Sequence, residues 1–236
     1  MDHDQGTITR PRVDITRLKK TAAVRLVFVP LVLGLMFFWP AGTFRYWQAW
    51  IYIAILFIPM LGVFVYLIRK DPELLERRLK AKEKERQQKY IQMIGSLFFL
   101  GIYILPGFDR RYGWSSVPVV VVIAADILVL GGYGLFVRVL EENSYASRIV
   151  EVEKNQKVIT TGPYAVVRHP MYLAVLIMYI FSPLALGSYW AVLPALSLIL
   201  ILAARIGNEE KVLLDKLAGY KEYAQSVRFR LIPGIW

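Results

Sequence analysis

Residues 171–205 read MYLAVLIMYIFSPLALGSYWAVLPALSLILILAAR, with no charged side chain before the final arginine. Pro183 and Gly187 fall in the middle of this apolar run and favour a break there. We therefore predict a tight helical hairpin with halves Met171–Leu186 and Tyr189–Arg205, or one broken segment. Each half is shorter than the roughly 20 residues that a helix needs to cross a bilayer.

Four longer apolar segments precede the hairpin and are separated by dense charge. The chain is 56% hydrophobic, whereas soluble domains are about 45–50% apolar. The segments have about the length that spans roughly 30 Å of hydrocarbon. We predict an all-α polytopic integral membrane protein of six transmembrane helices, or five if the hairpin is one segment. The first four helices are predicted at Ala22–Trp39, Trp50–Ile68, Ile91–Phe108 and Val117–Leu140.

The basic residues lie in alternate loops. The chain has 29 Lys and Arg against 18 Asp and Glu, a net charge of +11. The basic residues are dense in residues 69–90, in Glu141–Pro170 and after Arg205, and sparse in the other loops. The positive-inside rule places these loops and both termini on the cytoplasmic side, here of a bacterial-type inner or plasma membrane. Their expected partner is anionic lipid head groups rather than nucleic acid.

The segments around the first two spans carry weaker signals. Asp71-Pro72-Glu73 indicates a helix start, because Asp is a good N-cap and Pro suits the first helical position. We predict a cytoplasmic juxtamembrane helix Pro72–Gln88, with Glu76 and Lys80 forming an ion pair. Residues 1–21 are predicted to be a cytoplasmic segment without a cleavable signal peptide, so the first apolar run is an uncleaved anchor.

Several kinds of chemistry lack the residues that they need. The chain has no cysteine, which excludes disulfides, thiolate metal sites and a cysteine nucleophile. Its only histidines are His3 and His169, so a multi-histidine metal site is excluded too. We expect no metal in the site.

A polar stretch, residues 160–172, leads into the hairpin. Pro170 suits the first turn of a helix, so His169 is predicted near the N-cap. The first amides of such a helix have no intrahelical acceptor, and with Arg168 beside them they could bind an anion. Gly162-Pro163 predicts a turn that would bring Tyr164 over this position. A plain helix start with an interfacial belt of polar and aromatic residues explains the stretch equally well.

A second polar cluster follows the hairpin, where Arg205, Glu209 and Glu210 leave the hydrocarbon. Arg205 and Glu209 are one turn apart and share a helix face, whereas adjacent carboxylates project about 100° apart. The cluster could face a cavity, or it could be a helix ending in charge. Because the two ends of a hairpin return to one membrane face, both clusters could meet around a zwitterionic ligand with a ribose. S-adenosylmethionine is such a ligand.

These residues resemble the isoprenylcysteine carboxyl methyltransferase family, with phospholipid N-methyltransferases as more distant relatives. The resemblance covers Lys157–Gly234. It rests on Gly162-Pro163-Tyr164, Arg168-His169-Pro170 with Tyr172, the Glu209-Glu210 pair with Leu213, and Gly219-Tyr220 with Tyr223. Leu173-Ala174 stands where the family frequently has glycine. The resemblance includes no motif in Met1–Val150.

The resemblance implies an S-adenosylmethionine pocket on the cytoplasmic side, within a cofactor-binding region over residues 151–236. Residues 22–150 would be the membrane region that shapes access of the lipid substrate. The implied cofactor-binding residues are Tyr164, His169, Pro170, Tyr172, Leu173, Glu209 and Glu210. Arg168 and Arg205 would lie nearer the acceptor, and these two with Glu209 are the implied catalytic residues.

The expected reaction is methylation of a membrane-embedded, lipid-like acceptor. A carboxylate acceptor is favoured because it is already ionised at neutral pH and needs no general base. A phospholipid or other amine would have to lose a proton, which Glu209 or Glu210 could take.

Two competing functions stay open at this stage. An NADPH-dependent sterol-type reductase would also resemble this chain in the Arg-His-Pro-x-Tyr segment, but the carboxylates of Glu209 and Glu210 would repel the cofactor's 2′-phosphate. The chain could instead be a non-enzymatic transporter or scaffold. Asp126, the one acid well inside a span, would serve transport or helix packing.

Overall fold

The computed structural model describes residues 14–79, 86–147, 149, 152 and 156–236. Within those ranges the chain forms α-helices and one short 3-10 turn, and no strand, so the all-α prediction is confirmed. The helices are α1 Ile15–Ala41, α2 Trp47–Lys70, α3 Pro72–Leu79, α4 Arg86–Tyr112, α5 Val119–Glu142, α6 Pro170–Ala185, α7 Val192–Lys216 and α8 Tyr220–Ser226.

All six predicted apolar segments are helical. Five of the described helices, α1, α2, α4, α5 and α7, are long and apolar enough to cross a membrane. The sixth, α6, has 16 residues, and at 1.5 Å per residue it is about 24 Å long. The hairpin is two separate helices rather than one broken segment. Its turn contains Gly187, whose φ of 74° lies in the left-handed region that favours glycine.

Some helix bounds differ from the prediction. α1 begins at Ile15 rather than Ala22, because the Asp14 side chain caps it by accepting a hydrogen bond from the Arg17 amide at 3.0 Å. Of the predicted helix Pro72–Gln88, the described residues Pro72–Leu79 form α3 and residues 86–88 belong to α4, while residues 80–85 lie outside the described residues. Its start is confirmed, with the Leu74 amide donating to Asp71 Oδ1 at 2.9 Å.

The predicted ion pair of the third helix involves a residue that is not described. Lys80 lies outside the described residues, as do residues 1–13 of the predicted N-terminal segment. Among the described residues of α3, Glu73 and Arg77 form an ion pair with a nitrogen–oxygen distance of 3.2 Å.

Close helix packing fixes the frame behind the hairpin. α5 crosses α6 at Gly132, where an added Cβ would lie 2.9 Å from Met178 Cγ and 3.1 Å from the Ala174 carbonyl oxygen. Small residues let helix backbones approach in this way, and the resulting packing is what holds helices together in lipid. The hairpin's first helix is therefore held tightly against α5.

The two ends of the bundle differ. At one end, which we call the outer end, Asp109 accepts hydrogen bonds from the Ser115 amide, the Ser115 hydroxyl and the Ser188 hydroxyl, at 2.5–2.6 Å. These bonds join the α4–α5 loop to the hairpin turn. The opposite end, which we call the site end, carries α3, α8 and the 3-10 turn at residues 162–165.

Asp126 lies buried on α5 with 6% of its surface exposed. Its Oδ1 atom has no hydrogen-bond partner within the described part of the chain, and the structure shows no bond from it to a neighbouring helix that would support the predicted role in helix packing.

Candidate functional site

The approach to the hairpin is a turn followed by a capped helix. Gly162–Ala165 forms a 3-10 turn in which Gly162 has a φ of 56°. A Cβ at Gly162 would lie 2.8 Å from Glu142 Oε2, so a side chain is excluded by space as well as by conformation. His169 is the N-cap of α6 and Pro170 its first residue, as predicted.

The first amides of α6 were expected to lack acceptors and to be able to bind an anion, and this prediction is wrong for two of these amides. The amides of Tyr172 and Leu173 both donate to the His169 carbonyl, at 3.1 and 3.2 Å. This tightened first turn satisfies the donors that an anion would have used. Any anion bound here would need side chains, not these two amides.

The C-terminal tail pairs with the segment before α6. The Arg168 amide donates to the Phe229 carbonyl, and the His169 amide donates to the Arg230 carbonyl, both at 2.9 Å. Sequence reasoning gave this tail no structural role. Apolar and basic side chains alternate over residues 227–231, which is typical of an extended segment, but this pattern does not indicate the backbone with which the segment pairs.

Glu210 is the centre of a buried charge cluster. Its carboxylate lies 3.1 Å from Arg168, 3.2 Å from His169 Nε2 and 2.8 Å from Arg230 Nε. The Tyr220 hydroxyl donates to it at 3.3 Å. Only 4% of Glu210 is exposed, and a buried carboxylate needs such partners. Glu210 joins the start of α6, the end of α7 and the tail.

Glu209, the residue before Glu210, has different hydrogen-bond partners. The Tyr172 hydroxyl donates to Glu209 Oε2, and Arg205 Nε donates to the same hydroxyl at 2.8 Å. The Arg205 guanidinium also stacks over the Tyr172 ring, 5.8 Å from its centroid. These contacts join the two ends of the hairpin directly, as the sequence predicted.

The cavity at the site end has a volume of about 570 Å³, within the range of small-molecule and cofactor sites. Two of the predicted cofactor-binding residues do not line it. Leu173 packs in an apolar cluster with Leu176 and Leu202, and Glu210 is turned toward its cationic partners. The predicted residues that do line it are Tyr164, Arg168, His169, Pro170, Tyr172, Arg205 and Glu209.

Three tyrosines form one wall of the cavity. Asn143 Nδ2 donates to the Tyr164 hydroxyl, and the Tyr223 hydroxyl donates to the Tyr164 carbonyl, both at 2.8 Å. Tyr220 packs beside Tyr223, with ring centroids 5.7 Å apart. Burial raises the pKa of Tyr164 to about 12, and burial also raises the pKa values of Tyr220 and Tyr223. All three hydroxyls are therefore protonated at neutral pH.

The cavity has cationic walls that the sequence did not assign. Arg78 of α3 and Lys157 line it together with Arg168 and Arg205. Arg78 Nη1 donates to the Ser147 carbonyl at 3.3 Å, and its guanidinium lies over the Phe136 ring. Arg78 belongs to the basic segment that the sequence assigned to topology, so charge counting could not distinguish it from its neighbours.

Comparison with known proteins supports the predicted family. Residues 122–215 match the model of the isoprenylcysteine carboxyl methyltransferase (ICMT) family, which confirms the resemblance and supports a membrane methyltransferase. The match begins in α5, earlier than the predicted start at Lys157, and it ends before Gly219-Tyr220 and Tyr223. A solved structure of the eukaryotic intramembrane Ras methyltransferase ICMT aligns at 18% identity and a TM-score of 0.42, covering 95% of this chain and 88% of that one. Comparison with curated protein sequences gives no match.

Proposed function

We propose, on the premise that residues 122–215 carry the isoprenylcysteine carboxyl methyltransferase signature, that this chain uses S-adenosylmethionine to methylate a lipid-like acceptor. The observation that carries the proposal is the meeting of the hairpin's two ends, where Tyr172 bonds Glu209 and Arg205 beside a cofactor-sized cavity. A carboxylate is the favoured acceptor.

The residues present fit such a cofactor. Arg168 Nε is buried and has no hydrogen-bond partner among the described residues, so it offers a donor to the cofactor's carboxylate, a role that differs from the place near the acceptor implied by the resemblance. Glu209 offers a carboxylate to its ribose hydroxyls or its cationic centres. The wall formed by Tyr164, Tyr220 and Tyr223 offers rings against which a purine could stack. When bound, the cofactor supplies an electrophilic methyl group on a positively charged sulfur.

The chain's own part in the reaction is positioning and exclusion of water. An acceptor carboxylate beside Arg205 would be held by its guanidinium, which is itself fixed by Tyr172. Arg205 would orient the acceptor carboxylate toward the methyl group that the cofactor would supply, and the electron pair of the broken carbon–sulfur bond would stay on sulfur. No proton moves, so no general base is required. Alignment of the two reacting groups accounts for the rate enhancement expected here.

The charges of the cavity wall do not by themselves exclude a phosphate-bearing cofactor. Glu209 would repel the 2′-phosphate of NADPH, but Arg78, Lys157, Arg168 and Arg205 line the same cavity and would attract it. The preference for methyl transfer over a sterol-type reductase therefore rests on the family match. Binding of S-adenosylhomocysteine and NADPH to the same purified protein distinguishes the two.

The proposal includes the placement of the site. We infer that the site end faces the cytoplasm, because the basic loops lie there and the cofactor is made in that compartment. We further infer that exposed basic residues of the site end contact anionic head groups of the inner or plasma membrane. The acceptor would then reach the cavity from the same leaflet.

The test is incubation of the purified protein with methyl-labelled S-adenosylmethionine and a membrane lipid extract. We expect label in a lipid, released as methanol by mild alkali, because methyl esters hydrolyse and N-methyl groups do not. Label that survives alkali would indicate that the acceptor is an amine and not a carboxylate. No labelled lipid, together with oxidation of NADPH by the same protein, would refute methyl transfer.

A further inference from the structure

A second cavity lies deeper in the bundle than the candidate site. Its volume is about 250 Å³, and hydrocarbon covers most of its wall. Helices α1, α2, α4, α5 and α6 each contribute to it. Representative wall residues are Leu33, Leu56, Tyr52, Tyr103 and Met178.

The two cavities share part of their walls. Phe99, Val175 and Tyr179 line both. The rings of Phe99 and Tyr179 meet edge to face, with centroids 6.0 Å apart, so a single layer of side chains separates the cavities. A ligand whose head reacts in the first cavity could place its tail in the second by displacing these side chains.

One wall of the second cavity carries a chain of hydrogen-bonded hydroxyls. The Tyr103 hydroxyl lies 3.1 Å from the Tyr52 hydroxyl, which bonds the Ser182 hydroxyl in turn. Ser182 Oγ donates to the Met178 carbonyl at 2.6 Å. Because a carbonyl only accepts, the proton of Ser182 is used there, so Tyr52 donates to Ser182 and Tyr103 donates to Tyr52.

The direction of these hydrogen bonds leaves one acceptor unused, the hydroxyl oxygen of Tyr103. Among the described residues, the Tyr103 hydroxyl bonds the hydroxyls of Tyr52 and Ser182, whose own protons are already donated to Ser182 and to the Met178 carbonyl. Its oxygen can still accept a hydrogen bond, but its proton is already used. The cavity therefore offers an acceptor and no donor at Tyr103.

We propose that the second cavity holds the far end of the acceptor's hydrocarbon tail, and that this tail bears a hydroxyl group that donates to Tyr103. A tail that moves from lipid into an apolar cavity gains little, since lipid is equally apolar. A hydroxyl in hydrocarbon is costly without a partner, so one acceptor in the wall can select for it. The inference depends on the proposed function of the first cavity only for the identity of the ligand's head.

The depth of Tyr103 indicates the length of the tail. Gln88, near the start of α4, donates to the Arg205 carbonyl at 3.3 Å, and so marks the level of the candidate site. Along the same helix Tyr103 lies about 22 Å deeper, at about 1.5 Å per residue. A long-chain acid with its hydroxyl near the far end matches this separation.

The test is equilibrium binding of three lipids to the purified protein in detergent: hexadecanoic acid, its 15-hydroxy derivative and its 15-oxo derivative. We expect the hydroxy acid to bind about fivefold tighter than the parent acid, the value of one net hydrogen bond. The oxo acid, which can only accept, should bind no tighter than the parent. Equal binding of the hydroxy and parent acids would overturn the proposal.

Variants of the hydroxyl chain sharpen the test. Tyr103→Phe should remove the preference for the hydroxy acid, whereas Tyr112→Phe, a matched change at an exposed position of α4, should keep it. Ser182→Ala removes the acceptor that fixes the direction of the chain. Tyr52 can then donate to Tyr103, whose proton becomes free, so the oxo acid should gain affinity. A preference that survives Tyr103→Phe would overturn the proposal.

Binding of S-adenosylhomocysteine to the same samples separates the two proposals. Cofactor binding without a hydroxyl preference would refute only the second cavity's role. A hydroxyl preference without cofactor binding would refute the proposed methyl transfer and leave the second cavity's role standing.

Discussion

Glu209 and Glu210 are adjacent in sequence and differ in what they contact. Glu209 lines the cavity and accepts from Tyr172, whereas Glu210 is buried between Arg168 and Arg230. The spacing of about 100° per residue predicted that the two would diverge. It could not predict which one faces the cavity, because that depends on the distant tail that supplies Arg230.

Glu210→Gln should destabilise the protein. The change leaves the buried Arg168 guanidinium and the half-buried Arg230 guanidinium without their carboxylate, and breaking a buried ion pair in this way costs about 3–5 kcal/mol. Thermal unfolding in detergent measures the loss. Glu222→Gln, a matched change at an exposed position of α8, should alter stability by less than about 0.5 kcal/mol. Equal stability of the two variants would contradict the assignment of Glu210 as the centre of the cluster.

Tyr172→Phe should impair the site more than the fold. It removes the hydroxyl that Arg205 and Glu209 share, and a hydrogen bond to a charged group is worth about 1.5–3 kcal/mol. We expect kcat/KM for methyl transfer to fall by about 10- to 100-fold. Tyr189→Phe, on an exposed tyrosine of the hairpin turn, should leave kcat/KM unchanged. A Tyr172→Phe enzyme with unchanged kcat/KM would show that the hydroxyl is not needed.

At the scale of the elements, the sequence predicted where helices form better than it predicted which segments contact one another. Apolar length identified all the long helices, and Asp71-Pro72 identified the start of α3. The pairing of the C-terminal tail with Arg168 and His169 could not be predicted, because the alternation of apolar and basic residues over 227–231 favours an extended segment but does not identify its hydrogen-bond partner. The same tail supplies one of the partners of Glu210.

Arg230→Ala should therefore loosen the tail. The change removes the 2.8 Å ion pair between Arg230 and Glu210, in which the Glu210 carboxylate is buried. We expect a loss of about 1–3 kcal/mol in stability. Limited proteolysis should cleave the tail of this variant faster. Arg228→Ala is the matched control, since Arg228 is exposed. Equal cleavage rates in the two variants would argue against docking of the tail through Arg230.

Gly132→Ala should separate α5 from α6. The added methyl group would lie 2.9 Å from Met178, and overpacking of this kind costs about 1–3 kcal/mol. Gly134→Ala meets nothing within 4 Å, so its better helix propensity should make it neutral or slightly stabilising. The comparison is a pair of thermal unfolding curves. A Gly132→Ala protein as stable as Gly134→Ala would contradict the close crossing.

At the scale of the whole molecule, the site is built where the two ends of a membrane hairpin meet. The chain has no cysteine, so single cysteines report topology without a background. Glu73→Cys on α3 and Glu222→Cys on α8 should react with an impermeant maleimide from the cytoplasmic face. Ser116→Cys, in the loop at the outer end, should react from the other face. Labelling of residues 73 and 222 from opposite faces would contradict a single site end.

The most direct measurement of the central claim is calorimetric binding of S-adenosylhomocysteine to the purified protein. The wild type and Asp215→Asn, an exposed carboxylate on the same helix as Glu209, should bind equally. Glu209→Gln should bind at least tenfold more weakly, because it loses a charged contact to the ligand. No binding by the wild type, or equal binding by Glu209→Gln, would contradict a cofactor site at the joined ends of the hairpin.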